Sequence, residues 1–80
     1  MAGSQMITLK IGIEYINGVI AYGTEVPTTE AKADELVKLF IVTWFPGAKN
    51  DTGWIKRDGL TLRSWELNPS FKVVFWKKKI

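Results

Sequence analysis

Histidine and cysteine are both absent from the 80 residues of this chain. Histidine is the commonest general base and a common metal ligand, and cysteine supplies thiolate nucleophiles, zinc ligands and disulfide bonds. Their joint absence excludes most enzyme chemistry and any disulfide framework. We therefore expect a protein that is not an enzyme and that holds no cofactor and no metal. A chain without thiols is compatible with the reducing cytoplasm, which is the location we expect.

Long apolar runs are also missing. The longest, Leu39 to Phe45, is interrupted by Thr43, and it is far shorter than the roughly 20 residues that cross a bilayer. The first five residues are small and polar, without the basic and apolar segments of a signal peptide. The sequence predicts a disordered tail or cloning remnant over 1–5, a single domain over 6–80, and no membrane partner.

Asn17-Gly18 separates two segments that are rich in β-branched and aromatic residues. This dipeptide favours the two-residue type I′ turn of a β-hairpin, because both residues tolerate positive φ. A turn of that length sets Leu9 opposite Val26 and Lys10 opposite Glu25. One face of the predicted hairpin is then almost wholly apolar, and the other carries an opposite-charge pair.

A helical pattern follows the first hairpin. Thr28 is the predicted N-cap, and Pro46-Gly47 ends the helix after Phe45. A strand over 38–45 is the alternative, because β-branched and aromatic residues crowd that segment. The face expected to pack on a sheet recurs at helical spacing, at Ala33, Leu36, Val37, Phe40, Ile41 and Trp44.

A second hairpin is predicted from Leu60 to Lys77, closed by the three residues Asn68-Pro69-Ser70. Its register sets Trp65 opposite Val73 and Glu66 opposite Lys72. The fold class is therefore α+β in the order β-β-α-β-β, with one antiparallel sheet of four or five strands and a single helix packed on one face.

The second hairpin is predicted to be apolar on both faces, unlike the first. In addition, three apolar residues near the end of the helix fall outside the stripe that packs on the sheet. Such residues are seldom exposed together on a monomer. We therefore expect a protein–protein interaction module that self-associates or docks on a larger partner. Alternatively, residues 54–59 fold over this face and complete one core. The predicted interface residues are Leu39, Val42, Phe45, Leu62, Val74 and Trp76.

Charge is distributed unevenly along the chain. The first 45 residues carry three lysines and five acidic residues (−2), and the last 35 carry eight basic and three acidic residues (+5). Basic and aromatic residues together are typical of proteins that bind single-stranded nucleic acid, so a nucleic-acid-binding module is the alternative function. Basic residues clustered on one face would favour nucleic acid, whereas interleaved acids would favour protein contact. The residues concerned are Lys56, Arg57, Arg63, Lys72, Lys77, Lys78 and Lys79.

Asp51-Thr52-Gly53 matches the triplet that carries the catalytic carboxylate of aspartic proteases. In those enzymes the triplet follows an apolar strand, whereas Lys49-Asn50 precedes it here. We therefore interpret the triplet as part of a loop over 46–53.

Overall fold

The computed structural model describes residues 5–79, which contain five strands and one helix in the predicted order. The elements are β1 (Met6–Tyr15), β2 (Ile20–Thr29), α1 (Ala33–Trp44), β3 (Ile55–Arg57), β4 (Leu60–Asn68) and β5 (Phe71–Lys79). The strands form one antiparallel sheet in the order β2-β1-β5-β4-β3, which confirms the α+β fold class. The tail predicted over 1–5 lies outside the described residues except for Gln5, whose carbonyl accepts the Glu30 N–H (2.9 Å).

The hydrophobic core lies between α1 and one side of the sheet, here called the helix face. Because successive strand residues point to opposite faces, every second side chain of β1 and β5 packs toward the helix. The helix contributes Ala33, Val37 and Ile41, which are buried at the i, i+4 spacing of a single helical face. From the sheet, the core contains Leu9, Ile11, Trp65, Val73 and Phe75.

The first hairpin has a three-residue turn, not the predicted two-residue type I′ turn. The Tyr15 N–H donates to the Val19 carbonyl (2.8 Å), and of the turn residues only Gly18 has a positive φ (87°). The longer turn shifts the strand pairing by one residue, and a β-bulge at Gly23 shifts it back. Pairs beyond the bulge, such as Leu9 with Val26, are therefore as predicted.

The second hairpin departs from its predicted register in a related way. Asn68 pairs with Phe71, which leaves a two-residue turn, and Leu67 becomes a bulge. The side-chain oxygen of Asn68 accepts the Phe71 N–H (3.1 Å) and stabilises this tighter turn. Beyond the bulge, the predicted pairing of Trp65 with Val73 is confirmed.

The helix begins later than predicted, because β2 is longer than predicted. Thr28 is not an N-cap: it is a buried residue of β2 and pairs with Ile7 of β1. Pro27 does not interrupt β2, because the strand is at the edge of the sheet and the missing N–H breaks no ladder bond. The turn before α1 is instead stabilised by Thr29, whose hydroxyl accepts the Lys32 N–H (3.3 Å).

The end of the helix is close to its predicted position, and the alternative of a strand over 38–45 is wrong. Two aromatic residues exchange their expected roles there. Trp44, predicted for the core, is 67% exposed, whereas Phe45, predicted outside the core stripe, packs against the core.

The sheet is strongly curled, so that the side away from α1 is a concave face. The guanidinium of Arg57 in β3 lies 3.2 Å from the carboxylate of Glu14 in β1. In a flat sheet these strands would lie three strand spacings apart, about 14 Å. The strand register also separates the two residues by about 20 Å along the strands. The two side chains can span both separations only if the sheet is bent. Leu62 and Val74, on the concave face between them, are 3% and 1% exposed.

A row of larger side chains completes the cover of the concave face. Lys10 lies between two rings, with its ammonium 4.8 Å from the centroid of Trp76 and 4.9 Å from that of Tyr22. The same ammonium pairs with Glu25 (3.5 Å), as the predicted register requires. Burial raises the pKa of Tyr22. The concave face therefore forms a second, smaller packed layer.

Candidate protein interaction surface

The helix α1 covers only part of the helix face, because it is shorter than the strands beneath it. A 12-residue helix is about 18 Å long, whereas the 10 residues of β1 extend about 33 Å. Glu30, just before the helix, pairs with Lys77 near the end of β5 (2.7 Å), so α1 begins over the end of the sheet that is far from the hairpin turns. The part of the helix face next to the two hairpin turns lies beyond the reach of α1.

An apolar groove of about 320 Å³ opens where α1 ends over β1 and β2. Ile11 and Ile13 lie on its strand side, and Phe40 and Phe45 form its helix side. The groove stays open because the residues of β2 that line it are small. Larger side chains at these positions would contact the helix and close the groove. The small residues are Ala21, Gly23 and Thr24.

Apolar side chains continue from the groove to the hairpin turns. Tyr15 and Phe71 are paired across β1 and β5, and their rings pack edge to face with centroids 5.4 Å apart. Because Tyr15 is two residues from Ile13, its ring lies on the same helix face, past the end of α1. At the end of the helix, the exposed ring of Trp44 lies 6.5 Å from that of Phe40. We call this surface the apolar end; it comprises Ile13, Tyr15, Val19, Phe40, Trp44, Phe45 and Phe71.

The three helix-end residues predicted for an interface occupy different positions. Phe45 belongs to the apolar end. Leu39, 62% exposed, lies one turn from Leu36 on the flank of α1. Val42, 70% exposed, follows Lys38 by one turn on the outer side of the helix, so the structure separates it from the groove.

The three predicted interface residues of the second hairpin lie on the concave face, on the other side of the sheet from the apolar end. The expectation that Leu62 and Val74 are open to a partner is wrong, because the curl of the sheet buries both within the chain. Trp76 is half-buried beside Lys10 and Tyr22. The alternative in which 54–59 folds over this face is closer to the structure, since the Arg57 side chain extends across the concave face to Glu14.

Six of the seven residues of the apolar end, all except Phe45, were not predicted as interface residues. Phe40 and Trp44 were predicted for the core, and the strand residues Ile13, Tyr15, Val19 and Phe71 were assigned only to the two hairpins. The element lengths gave no signal, because a helix from Thr28 to Phe45 would cover most of the length of the predicted hairpins. The surface is left open because α1 has only the 12 residues Ala33–Trp44.

Arg63, predicted to contact nucleic acid, is instead buried beside α1. It donates two hydrogen bonds to Asp51 (2.8 and 2.5 Å) and one to Asp34 (3.3 Å), and its guanidinium lies 4.7 Å from the Trp65 ring centroid. The Trp54 indole N–H also donates to Asp34. This cluster fastens the loop after α1 to β4 and leaves the guanidinium little access to a phosphate.

The Asp51-Thr52-Gly53 triplet has a structural role in the loop. The Arg63 hydrogen bond holds the pKa of Asp51 below its ordinary value, against the opposing effect of burial. The Thr52 hydroxyl accepts the Ser64 N–H (3.1 Å), and the Gly53 N–H donates to Asp51 (2.8 Å). A carboxylate that accepts two hydrogen bonds from a guanidinium is poorly placed to share a proton with a second carboxylate, as in an aspartic protease.

Acidic residues interleave with the other predicted nucleic-acid contacts. Arg57 pairs with Glu14 and Lys77 with Glu30, and Lys72 lies in cross-strand positions between two glutamates. The remaining lysines are divided between the two sides of the sheet, with Lys56 and Lys79 on the helix face and Lys78 on the concave face. The seven residues do not form one basic surface.

Within residues 5–79, no three carboxylate, histidine or cysteine side chains are grouped so that they could hold a metal ion. The single helix in this part of the chain is not long and apolar enough to cross a membrane. Comparison of the chain with family models, with curated proteins and with solved structures finds no match.

Proposed function

We propose that this chain is a non-catalytic protein interaction module that binds a protein partner through the apolar end. The observation that carries the proposal is the exposed ring of Trp44 beside Phe40, which lines the groove. Interface hot spots are enriched in tryptophan and tyrosine, and the apolar end offers Trp44 and Tyr15 together. Exposed apolar patches on a small domain are often functional, and contact with another protein is one of their common roles.

The charge distribution supports a protein partner over a nucleic acid. Arg57, Arg63 and Lys77 each contact a carboxylate, so that contact with a phosphate would first require an ion pair to be broken. Nucleic-acid affinity comes largely from basic side chains that are free to neutralise phosphates. The apolar end, in contrast, is formed by uncharged side chains on one side of the sheet.

Capture by three versions of the chain tests the proposal. Wild type, Trp44→Glu and Val42→Glu are immobilised at equal density and exposed to an extract of the cells that produce the protein. The two variants introduce the same charge at similarly exposed positions of α1, but only the Trp44 ring lies beside Phe40, which lines the groove. We expect Val42→Glu to capture the same proteins as wild type, and Trp44→Glu to lose them.

Circular dichroism and thermal unfolding of the three chains establish that each is folded. Equal capture by wild type and by Trp44→Glu would contradict the proposal. So would loss of capture by both variants, because that result would assign binding to the outer side of the helix.

A further inference from the structure

We infer that the partner at the apolar end is a second copy of this chain, bound about a two-fold axis so that Trp44 of each copy enters the groove of the other. This inference rests on the proposed function, because it names the occupant of the same surface. Three features of the apolar end carry it: the adjacency of a projecting ring and a groove, the lack of charge, and the area.

The projecting ring and the groove are neighbours on one surface. Trp44 is largely exposed, and its ring lies 6.5 Å from that of Phe40, which lines the groove. In an isologous dimer, the same patch serves both copies, so a projection beside a cavity fits the cavity of the partner and receives the partner's projection. The groove volume of about 320 Å³ is at the lower end of the range of pockets that bind small organic molecules, and it has room for an indole ring.

Charge does not oppose self-contact at this surface. A two-fold axis brings each residue near its own copy, so that charged residues close to the axis face their own sign. All seven residues of the apolar end are uncharged. The nearest charged strand residues in sequence, Glu14 and Lys72, point to the concave face, where Glu14 pairs with Arg57.

The exposed area matches the requirement of a dimer. Exposed parts of Tyr15, Val19, Trp44 and Phe71 amount to roughly 400 Å² of apolar surface, from their exposed fractions and the usual areas of such side chains. A standard interface buries about 800 Å² on each partner, of which somewhat more than half is apolar. The apolar end therefore supplies nearly all of the apolar part of one half-interface.

Sedimentation velocity of the purified full chain, from micromolar to millimolar concentration, tests the inference. We expect a reversible monomer–dimer equilibrium for wild type and for Val42→Glu. Trp44→Ser removes the projecting ring, and Ala21→Phe fills the groove from the β2 side. Each change is expected to weaken the dimer roughly 30-fold or more, as loss of an interface hot spot does.

A mixture of the two variants provides the decisive measurement. Trp44→Ser keeps an intact groove and Ala21→Phe keeps an intact Trp44, so only the mixed pair can place one ring in one groove. We expect the mixture to form dimers at concentrations at which each variant alone is a monomer. Circular dichroism of each variant excludes unfolding as the cause of dissociation.

Three results would overturn the inference. These are a wild-type chain that stays monomeric at every concentration, a dimer that Trp44→Ser leaves unchanged, and a mixture that behaves as two monomers. The first of these leaves the proposed function standing if Trp44→Glu still loses captured proteins, because the occupant is then a different protein. The proposed function itself is contradicted by a different result, namely that wild type and Trp44→Glu capture the same proteins.

Discussion

Gly12 lies where the backbone of β2 leaves no space for a side chain on β1. A β-carbon there would lie 2.6 Å from the Ala21 carbonyl oxygen and 2.9 Å from the Tyr22 α-carbon, both of them backbone atoms. Backbone cannot move aside cheaply, so we expect Gly12→Ala to destabilise the fold by about 2 kcal/mol or more. Urea unfolding followed by circular dichroism measures the loss.

Gly23 provides the matched control for this prediction. A β-carbon at Gly23 has its nearest neighbour, the Ile11 carbonyl oxygen, at 3.8 Å, and its φ is not in the left-handed region. We expect Gly23→Ala to change the unfolding free energy by less than about 1 kcal/mol. Equal destabilisation by both substitutions would show that chain flexibility, and not space, governs these positions.

The Asp51–Arg63 pair predicts a dependence of stability on acid. The Arg63 hydrogen bond lowers the pKa of Asp51 from its ordinary value of 3.8. A carboxylate whose pKa is lower in the folded state stabilises the fold above its ordinary pKa, and this stabilisation disappears as the pH falls through the lower, folded value. We therefore expect wild type to lose stability below about pH 4 more steeply than Arg63→Met or Asp51→Asn.

Urea titrations at neutral and acidic pH compare these three proteins. At neutral pH, Arg63→Met is expected to cost about 1–3 kcal/mol, because it leaves two carboxylates without their guanidinium, and the partial exposure of both carboxylates limits the cost. Parallel stability curves of wild type and both variants in acid would show that the pair does not contribute to the pH dependence.

Among the elements, β2 is an edge strand with ten residues, and it is protected against pairing with other chains by Pro27 and by the bulge at Gly23. The Glu30 N–H donates to the Gln5 carbonyl. Since hydrogen-bonded pairs alternate along an antiparallel ladder, the backbone of Pro27 faces outward. We expect Pro27→Val to expose an N–H there and to increase aggregation through this edge.

Thioflavin T fluorescence during incubation at high concentration measures this effect. Pro69→Ala serves as the control, because it also removes a proline but lies in the turn between β4 and β5 and changes no sheet edge. Faster fibril formation by Pro69→Ala than by Pro27→Val would contradict the protective role of Pro27.

The hairpins show why the pairing of elements could be predicted more reliably than their turns. In the first, a longer turn is offset by the bulge at Gly23, and in the second, a shorter turn is offset by the bulge at Leu67. The alternation of apolar residues determines which side chains face the core, and a shift by one residue would reverse every face. The turn and bulge adjust to that requirement, so local turn propensity alone did not predict them.

The start of the helix was mispredicted for a different reason. Thr28 has the local features of an N-cap, but its pairing with Ile7 keeps it in β2. Pairing between strands depends on the tertiary fold, which the preference of a single threonine does not contain.

At the scale of the whole molecule, the placement of charge predicts weak binding to nucleic acids. Because Arg57, Arg63 and Lys77 contact carboxylates and the other basic residues are divided between two faces, we expect no measurable binding of single-stranded or duplex oligonucleotides at physiological salt and micromolar protein. Fluorescence anisotropy measures it. A salt-dependent affinity that falls when Lys77, Lys78 and Lys79 are changed to glutamine would contradict this prediction and support the alternative function.

The curvature of the sheet is the feature that sequence patterns could not provide. The two-sided apolar character of β4 and β5 was correctly recognised, but it was assigned to an interface because a flat sheet under one helix would leave Leu62 and Val74 exposed. The contact of Arg57 with Glu14 joins residues 43 positions apart. Local alternation along a strand specifies its two faces, but it does not specify how far successive strands rotate.

β5, the last of the strands within residues 5–79, lies in the middle of the sheet. β5 is hydrogen-bonded to β1 on one side and to β4 on the other. During synthesis on the ribosome, the first hairpin and the helix emerge before β5, which pairs with β1 and packs against α1. A complete sheet can form only after β5 has been translated, so the nascent chain is expected to acquire its core in one late step, and any chain that stops before β5 is expected to remain a substrate for cellular proteases.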